Sequence, residues 1–180
     1  MGAFEVKGGD KAKAALQRIA DAVGKGAVAK VGFFQGATEA DGTSVPMIAA
    51  IQEYGAPKRN IPPRPFFRQA INARADAWAK NIATALKRTD YDAKTAMELV
   101  GQGAKEDIQK SIIDTMAPPL SDVTVMLRGM RLNDPGLTVS GKTVGEAAAR
   151  VAAGKTNYGA PTKPLIDTST MLNSVGVEVE

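Results

Sequence analysis

Phe66-Phe-Arg-Gln-Ala-Ile-Asn-Ala-Arg-Ala-Asp-Ala-Trp-Ala-Lys-Asn-Ile-Ala-Thr-Ala-Leu-Lys-Arg88 is the stretch that decides the fold. Phe67, Ile71, Trp78, Ile82 and Leu86 recur at helical spacing, while Arg68, Arg74, Lys80 and Lys87 take the opposite, wet surface. The pattern predicts one long amphipathic helix over 66–88, with Trp78 as a core anchor. A stripe of that length must be covered. The next periodic segment, Ala93 to Met116, carries Ala96, Leu99, Val100, Ala104, Ile108 and Ile112 and predicts a second long helix, weakened or bent by Gly101 and Gly103. Thr89-Asp-Tyr-Asp92 separates the two and caps the second. A helical hairpin over a small sheet follows.

Upstream, Ala56-Pro-Lys-Arg-Asn-Ile-Pro-Pro-Arg-Pro65 places four prolines in ten residues, too many for a regular helix or a central strand. The expectation is an extended, stiff arm over 56–65, and stiffness lowers the entropy lost when an arm docks. Pro46 to Gly55 fits a short helix, with Pro46 early and Gly55 beyond its end. Gln35 to Ser44 reads as a mobile loop or wide hairpin tip. Ala27 to Phe34 reads as a well-buried strand because its alternation is weak. Asp10 to Val23 reads as a first helix with Ala12, Ala15, Leu16, Ile19 and Val23 at helical spacing, stopped by Gly24-Lys-Gly26.

Downstream, Ser121 is a good N-cap for a helix carrying Val123, Leu127 and Met130, although Val123, Thr124 and Val125 keep a strand open. Residues 129–159 have the weakest organisation and read as an insertion or flexible assembly loop, with an Ala-rich helix near 144–153. After Asp167, a helical turn leads to a terminal strand in which Val175, Val177 and Val179 alternate, the natural partner of the Ala27–Phe34 strand. Glu53-Tyr-Gly-Ala-Pro57 is echoed once, as Asn157-Tyr-Gly-Ala-Pro161. The fold class is therefore α+β: a small antiparallel or mixed sheet packed by two longer helices, in a single domain over 1–180.

The 180 residues suffice for one hydrophobic core, and 44% apolar with 23% charged residues is an ordinary globular mixture. The chain has neither Cys nor His, which removes thiolate chemistry and the Ser-His-acid and Cys-His arrangements. No run approaches the roughly 20 apolar residues of a membrane helix, and Met1–Asp10 lacks the pattern of a secretory signal. The net charge of +4 is unevenly spread: residues 1–90 carry 14 Lys/Arg against 8 Asp/Glu, and residues 91–180 carry 9 against 11. Most of the excess falls between Lys58 and Arg88, a segment suited to phosphate or an acidic neighbour, or simply to a solvated helix face.

Two chemical motifs stand in the sequence. Gly136-Leu-Thr-Val-Ser-Gly141-Lys142-Thr143 has the spacing of a phosphate-binding loop, but that mechanism needs a buried strand feeding the loop, and Arg131-Leu-Asn-Asp-Pro135 is a poor strand. Glu98, Glu106, Asp107 and Asp114 have the spacing of a solvated helix surface. No cofactor and no catalysis are expected.

Gln52-Glu-Tyr-Gly-Ala-Pro-Lys-Arg-Asn-Ile-Pro-Pro-Arg-Pro-Phe-Phe-Arg68 resembles the signature stretch of tailed-phage virion-morphogenesis and tail-completion proteins, including the HK97 gp10-like group. Pro118-Pro-Leu-Ser121 and Lys163-Pro-Leu-Ile-Asp-Thr-Ser-Thr-Met-Leu-Asn-Ser-Val175 resemble the carboxy-terminal motifs of that class, in which the position of Ser169 is commonly Gly. The resemblance covers about 35 residues closely. It implies a small α+β structural subunit of a virion tail or head–tail neck, assembled in the bacterial host cytoplasm, acting in tail completion and joining. The implied partners are further copies in a homo-oligomeric, sixfold ring, connector, terminator or tail-tube proteins, and packaged DNA through non-specific contact, with no membrane.

Within that reading, Arg59, Arg64 and Arg68 are candidates for intersubunit or DNA-facing charge. Pro62, Pro63 and Pro65 set the arm's path, Phe66 and Phe67 anchor its exit, and Tyr54 caps its base through ring burial and a hydroxyl partner. Leu165, Asp167, Thr168, Leu172 and Ser174 form the candidate terminal motif. The bland alternative is that these residues only hold a crossing loop against their own subunit. A phage DNA-binding accessory protein is the competing functional expectation.

Overall fold

Serine side chains cap the starts of three helices. Ser44 caps α2 (Val45–Tyr54), its Oγ accepting from the Met47 N–H, and Gly55 closes it. The computed structural model describes residues 9–24, 26–155 and 159–180. Before α2 come α1 (Gly9–Gly24) and β1 (Ala29–Phe33); after it come a 3-10 turn (Pro57–Arg59), α3 (Phe66–Arg88), α4 (Ala93–Asp114), α5 (Asp122–Asn133), α6 (Gly141–Ala152), α7 (Thr170–Asn173) and β2 (Val175–Val179). The amino-terminal stretch 1–8, Lys25, and Asn157 and Tyr158 of the five-residue echo lie outside the described residues.

The architecture is α+β, with β1 and β2 forming a two-stranded antiparallel sheet. The chain divides into two compact units, a subdivision absent from the single-domain expectation. One comprises Met1–Gly32, Asn72–Asp107 and Gly176–Glu180; the other comprises Phe33–Ile71 and Ile108–Val175.

In the first unit, Val28 N–H donates to Glu180 O at 3.0 Å and Glu180 N–H returns a bond to Val28 O at 3.1 Å. β1 is half-buried, not deeply buried as expected, because a two-stranded sheet covers little area. Gly101 of α4 lies against β2: a Cβ there would stand 2.6 Å from Val177 Cγ1. Its glycine permits close helix–strand approach, and α4 runs as one helix through it. Trp78 is half-buried and donates from Nε1 to Asp107 Oδ2 at 2.7 Å, while Arg74 pairs with Asp107 Oδ1 at 3.0 Å. Asp107 thus ties α3 to α4 and is not the solvated acid expected. Two apolar assignments are also corrected. Leu99 is 55% exposed, and on α1 Ala12, Ala15 and Leu16 are exposed while Ile19 is half-buried.

In the second unit, Phe66 is 1% exposed and packs edge-on to Phe33 at 6.1 Å and to Phe67 at 6.3 Å. Ile108, Ile112 and Val45 are buried in this unit, and Ser111 Oγ donates to Phe66 O. Residues 35–44 form a turn pinned by a bridge between Thr38 and Ser44. Ser121 caps α5, which resolves the helix–strand ambiguity there. Within 129–155, the end of α5 is followed by α6, the Ala-rich helix expected near 144–153, and the two close on Met126, Met130 and Ala147. Ser140 and Thr143 form a capping box for α6. Helix α5 therefore stands where a phosphate-binding loop would need its strand.

Candidate assembly surface

The arm expected to run extended over 56–65 begins as a tight turn. Ala56 and Ile61 pair across it, the 3-10 turn fills it, and Asn60 adopts a left-handed conformation at φ 53. Gly55 is required at its base. With φ 77, a Cβ would lie 2.9 Å from Ile61 O and Pro63 N, contacts that backbone atoms cannot relieve. Local hydrogen bonds favour the turn over extension because only Pro57 of its first five residues lacks a donor. Lys58, Arg59 and Asn60 form its exposed apex, and Pro62 and Pro63 are exposed beyond it.

Arg64 departs from its expected role. It is 4% exposed, donating from Nε to Pro118 O at 2.9 Å, from Nη2 to Pro119 O at 3.2 Å and from Nη1 to Gln52 Oε1 at 3.0 Å. A buried fork bonded to its own chain is not a surface charge. It joins the arm to the second proline motif, and burial pulls its pKa down from the usual arginine value.

Glu53 organises the other side of the arm. Its carboxylate accepts from Phe67 N–H at 2.9 Å, from Arg68 N–H at 3.2 Å and from Arg68 Nε at 2.7 Å, although it is 5% exposed. An acid from α2 thereby satisfies the first donors of α3, where the helix dipole favours negative charge. Arg68 is consequently committed to its own chain on one side. Its guanidinium also lies 5.2 Å from the Tyr54 ring centroid. Tyr54 is 68% exposed, which corrects the expected ring burial. Pro65 and Phe67 are half-buried.

The terminal motif is held by a second buried arginine. Arg128 donates from Nη1 to the carbonyls of Pro161, Lys163 and Ile166 and from Nη2 to that of Pro164, at 2.8–3.1 Å. Desolvation lowers its pKa, partly offset by Asp167. Asp167 pairs with Arg128 at 3.5 Å and Arg131 at 3.2 Å, and Thr168 donates to Glu39. These residues border a groove of about 580 Å³ that also takes in Leu165 and Ser169. Leu165 is buried; Leu172 accepts from Gln109 Nε2 through its carbonyl, and Ser174 Oγ donates to Thr170 O. Ser169, at the position where the resembled motif commonly has Gly, takes φ 64.

Sequence reasoning gives Glu53, Gln52 and Arg128 no role. Glu53 had a signal: Val45, Ala49 and Glu53 share one helix face at four-residue spacing, and all three are buried. Arg128 had none, because its partners are carbonyls more than 30 residues away.

Among the described residues, no group of three or more His, Cys, Asp or Glu could hold a metal ion, and no helix is long and apolar enough to cross a membrane. In comparisons with known proteins, the chain matches no family model, no curated protein and no solved structure.

Proposed function

We propose that this chain is a structural subunit of a tailed-phage neck or tail, joining its neighbours in a closed ring and acting in tail completion. The observation that carries the reading lies in the stretch that resembles the phage proteins. An exposed apex, Lys58 to Asn60 with Pro62 and Pro63, is fixed from beneath by buried Arg64 and Glu53. A surface held in one conformation before docking loses little entropy on contact, which suits a repeated structural joint. Tyr54 and Met47, both more than half exposed and seven residues apart on α2, extend this surface with apolar area. The basic apex supplies the complement to an acidic neighbour.

The test is native mass spectrometry of the purified protein over a concentration and salt series. A discrete closed oligomer, six copies in this reading, is the expected result. A strict monomer throughout the series, also failing to bind connector or tail-tube proteins, would sink the proposal.

One observation favours a second reading, a DNA-binding accessory protein: Lys80, Lys87 and Arg88 on α3 are exposed and make no ion pair among the described residues. That reading requires duplex binding by the isolated chain, weakening steeply as salt rises.

A further inference from the structure

Among the described residues no segment pairs with either outer edge of the two-stranded sheet, and its register states which groups lie there. The reciprocal Val28–Glu180 bonds make that pair a hydrogen-bonded one, so the next such pairs are Lys30–Glu178 and Gly32–Gly176. The backbone groups of Ala29 and Val31 on β1, and of Val177 and Val179 on β2, therefore point away from the partner strand. Among the described residues, no backbone hydrogen bond from another segment reaches them. Beside β2 runs a groove of about 390 Å³, lined by Thr95, Glu98, Leu99 and Gln102 of α4 and by Val177 and Val179. Its strand lining comes from β2 and not β1, which puts it along the β2 edge. An open edge beside exposed apolar side chains is a template for another strand.

We propose that the β2 edge of one copy accepts the β1 edge of a second copy, continuing the sheet from subunit to subunit. Charge selects this occupant. The alternation that faces Val177 and Val179 toward α4 puts Glu178 and Glu180 on the other sheet face with Lys30 of β1, and Lys30 Nζ already pairs with Glu180 Oε1 at 2.6 Å. Pairing β2 with a second β2 brings the acids of both copies together, and pairing β1 with β1 brings two lysines together. Only β2 with β1 sets acid beside base. Such a contact uses two different edges, so it is head-to-tail, the interface type that generates rings when the rotation closes. The inference rests on the ring reading above and names its contact.

The chain has no Cys, so one introduced thiol per chain reports unambiguously. Lys30→Cys and Glu178→Cys are made as separate full-length variants, both at exposed positions. Each is treated with a short bismaleimide by itself and then as an equal mixture. The reagent also spans a two-residue shift in register, since diagonal cross-strand neighbours lie about 7–8 Å apart. The expected product is a cross-linked dimer in the mixture that is strongly reduced or lost in either variant treated separately. Dimers from Glu178→Cys by itself, equal to the mixture, would overturn the pairing in favour of a symmetric one. Native mass on the same samples separates the two proposals. A closed oligomer without the mixed product overturns the strand edge and leaves the ring; the mixed product without a closed oligomer keeps the edge and overturns the ring.

Discussion

Replacing Arg64 with Ala removes three hydrogen bonds from a side chain only 4% exposed and leaves the Pro118 and Pro119 carbonyls without their donor. The expected loss is roughly 2–4 kcal/mol in urea unfolding, and Arg64→Lys should recover little of it because an ammonium cannot reproduce the fork. A loss below about 0.5 kcal/mol, within the range of ordinary surface substitutions, would show that the fork does not hold the arm. Ser169 makes the opposite case. At φ 64 a side chain costs roughly 1–2 kcal/mol that glycine does not, while glycine's extra unfolded-state freedom returns roughly 0.5–1 kcal/mol of that. Ser169→Gly should therefore raise the melting temperature by a few degrees. An unchanged or lowered value would mean that this position is not strained.

At the scale of elements, the close approach of α4 to β2 depends on Gly101. Gly101→Ala adds a methyl 2.6 Å from Val177 Cγ1, and Val has no flexible terminus to swing away. Overpacking of this kind costs about 1–3 kcal/mol, against about 1 kcal/mol of helix propensity gained, so net destabilisation is expected. Val177→Ala in the same chain should make the two changes strongly non-additive, the double variant losing less than the sum. Additive losses in thermal unfolding would separate Gly101 from Val177. The start of α4 has its own acid device. Asp92 accepts from the Lys94 and Thr95 N–H groups and from Thr95 Oγ1, bonds that hold its carboxyl below the usual aspartate range. That contribution is fully present above the unfolded value and fades as pH falls through the lower folded one.

For the whole molecule, the buried role of Arg64 changes which residues test assembly. Lys58 and Arg59 are exposed on the turn and make no ion pair among the described residues. Lys58→Ala with Arg59→Ala should leave the melting temperature of the isolated chain within a degree or two, the range of ordinary surface changes, while reducing oligomer formation or particle joining. Equal assembly by the double variant in native mass spectra and a joining assay would remove the apex from the interface. A variant carrying Arg64→Ala would not discriminate, because it unfastens the arm from its own chain first.

Helices α1 to α4, the partnership of the terminal strand with the first one and the capping role of Ser121 were legible in the sequence, because period, propensity and turn chemistry act within a few residues; the cap at Ser44 was not read, and α5 stayed open between helix and strand. The sequence also marked 52–68 as the stretch to watch. Tertiary structure alone decided what those residues do there. Whether Arg64 faces outward or inward depends on carbonyls 54 and 55 residues away, and whether Glu53 is a surface acid or a cap depends on where α3 begins in space. Helix α6 was legible as an Ala-rich helix near 144–153, but what its apolar face packs on, Met126 and Met130 of α5, was not, because that packing is set in space and not in the local pattern. Local signals fix which backbone groups are satisfied within a turn of chain. Buried polar partners are assigned by long-range packing, since a desolvated charge stays only where distant groups meet it.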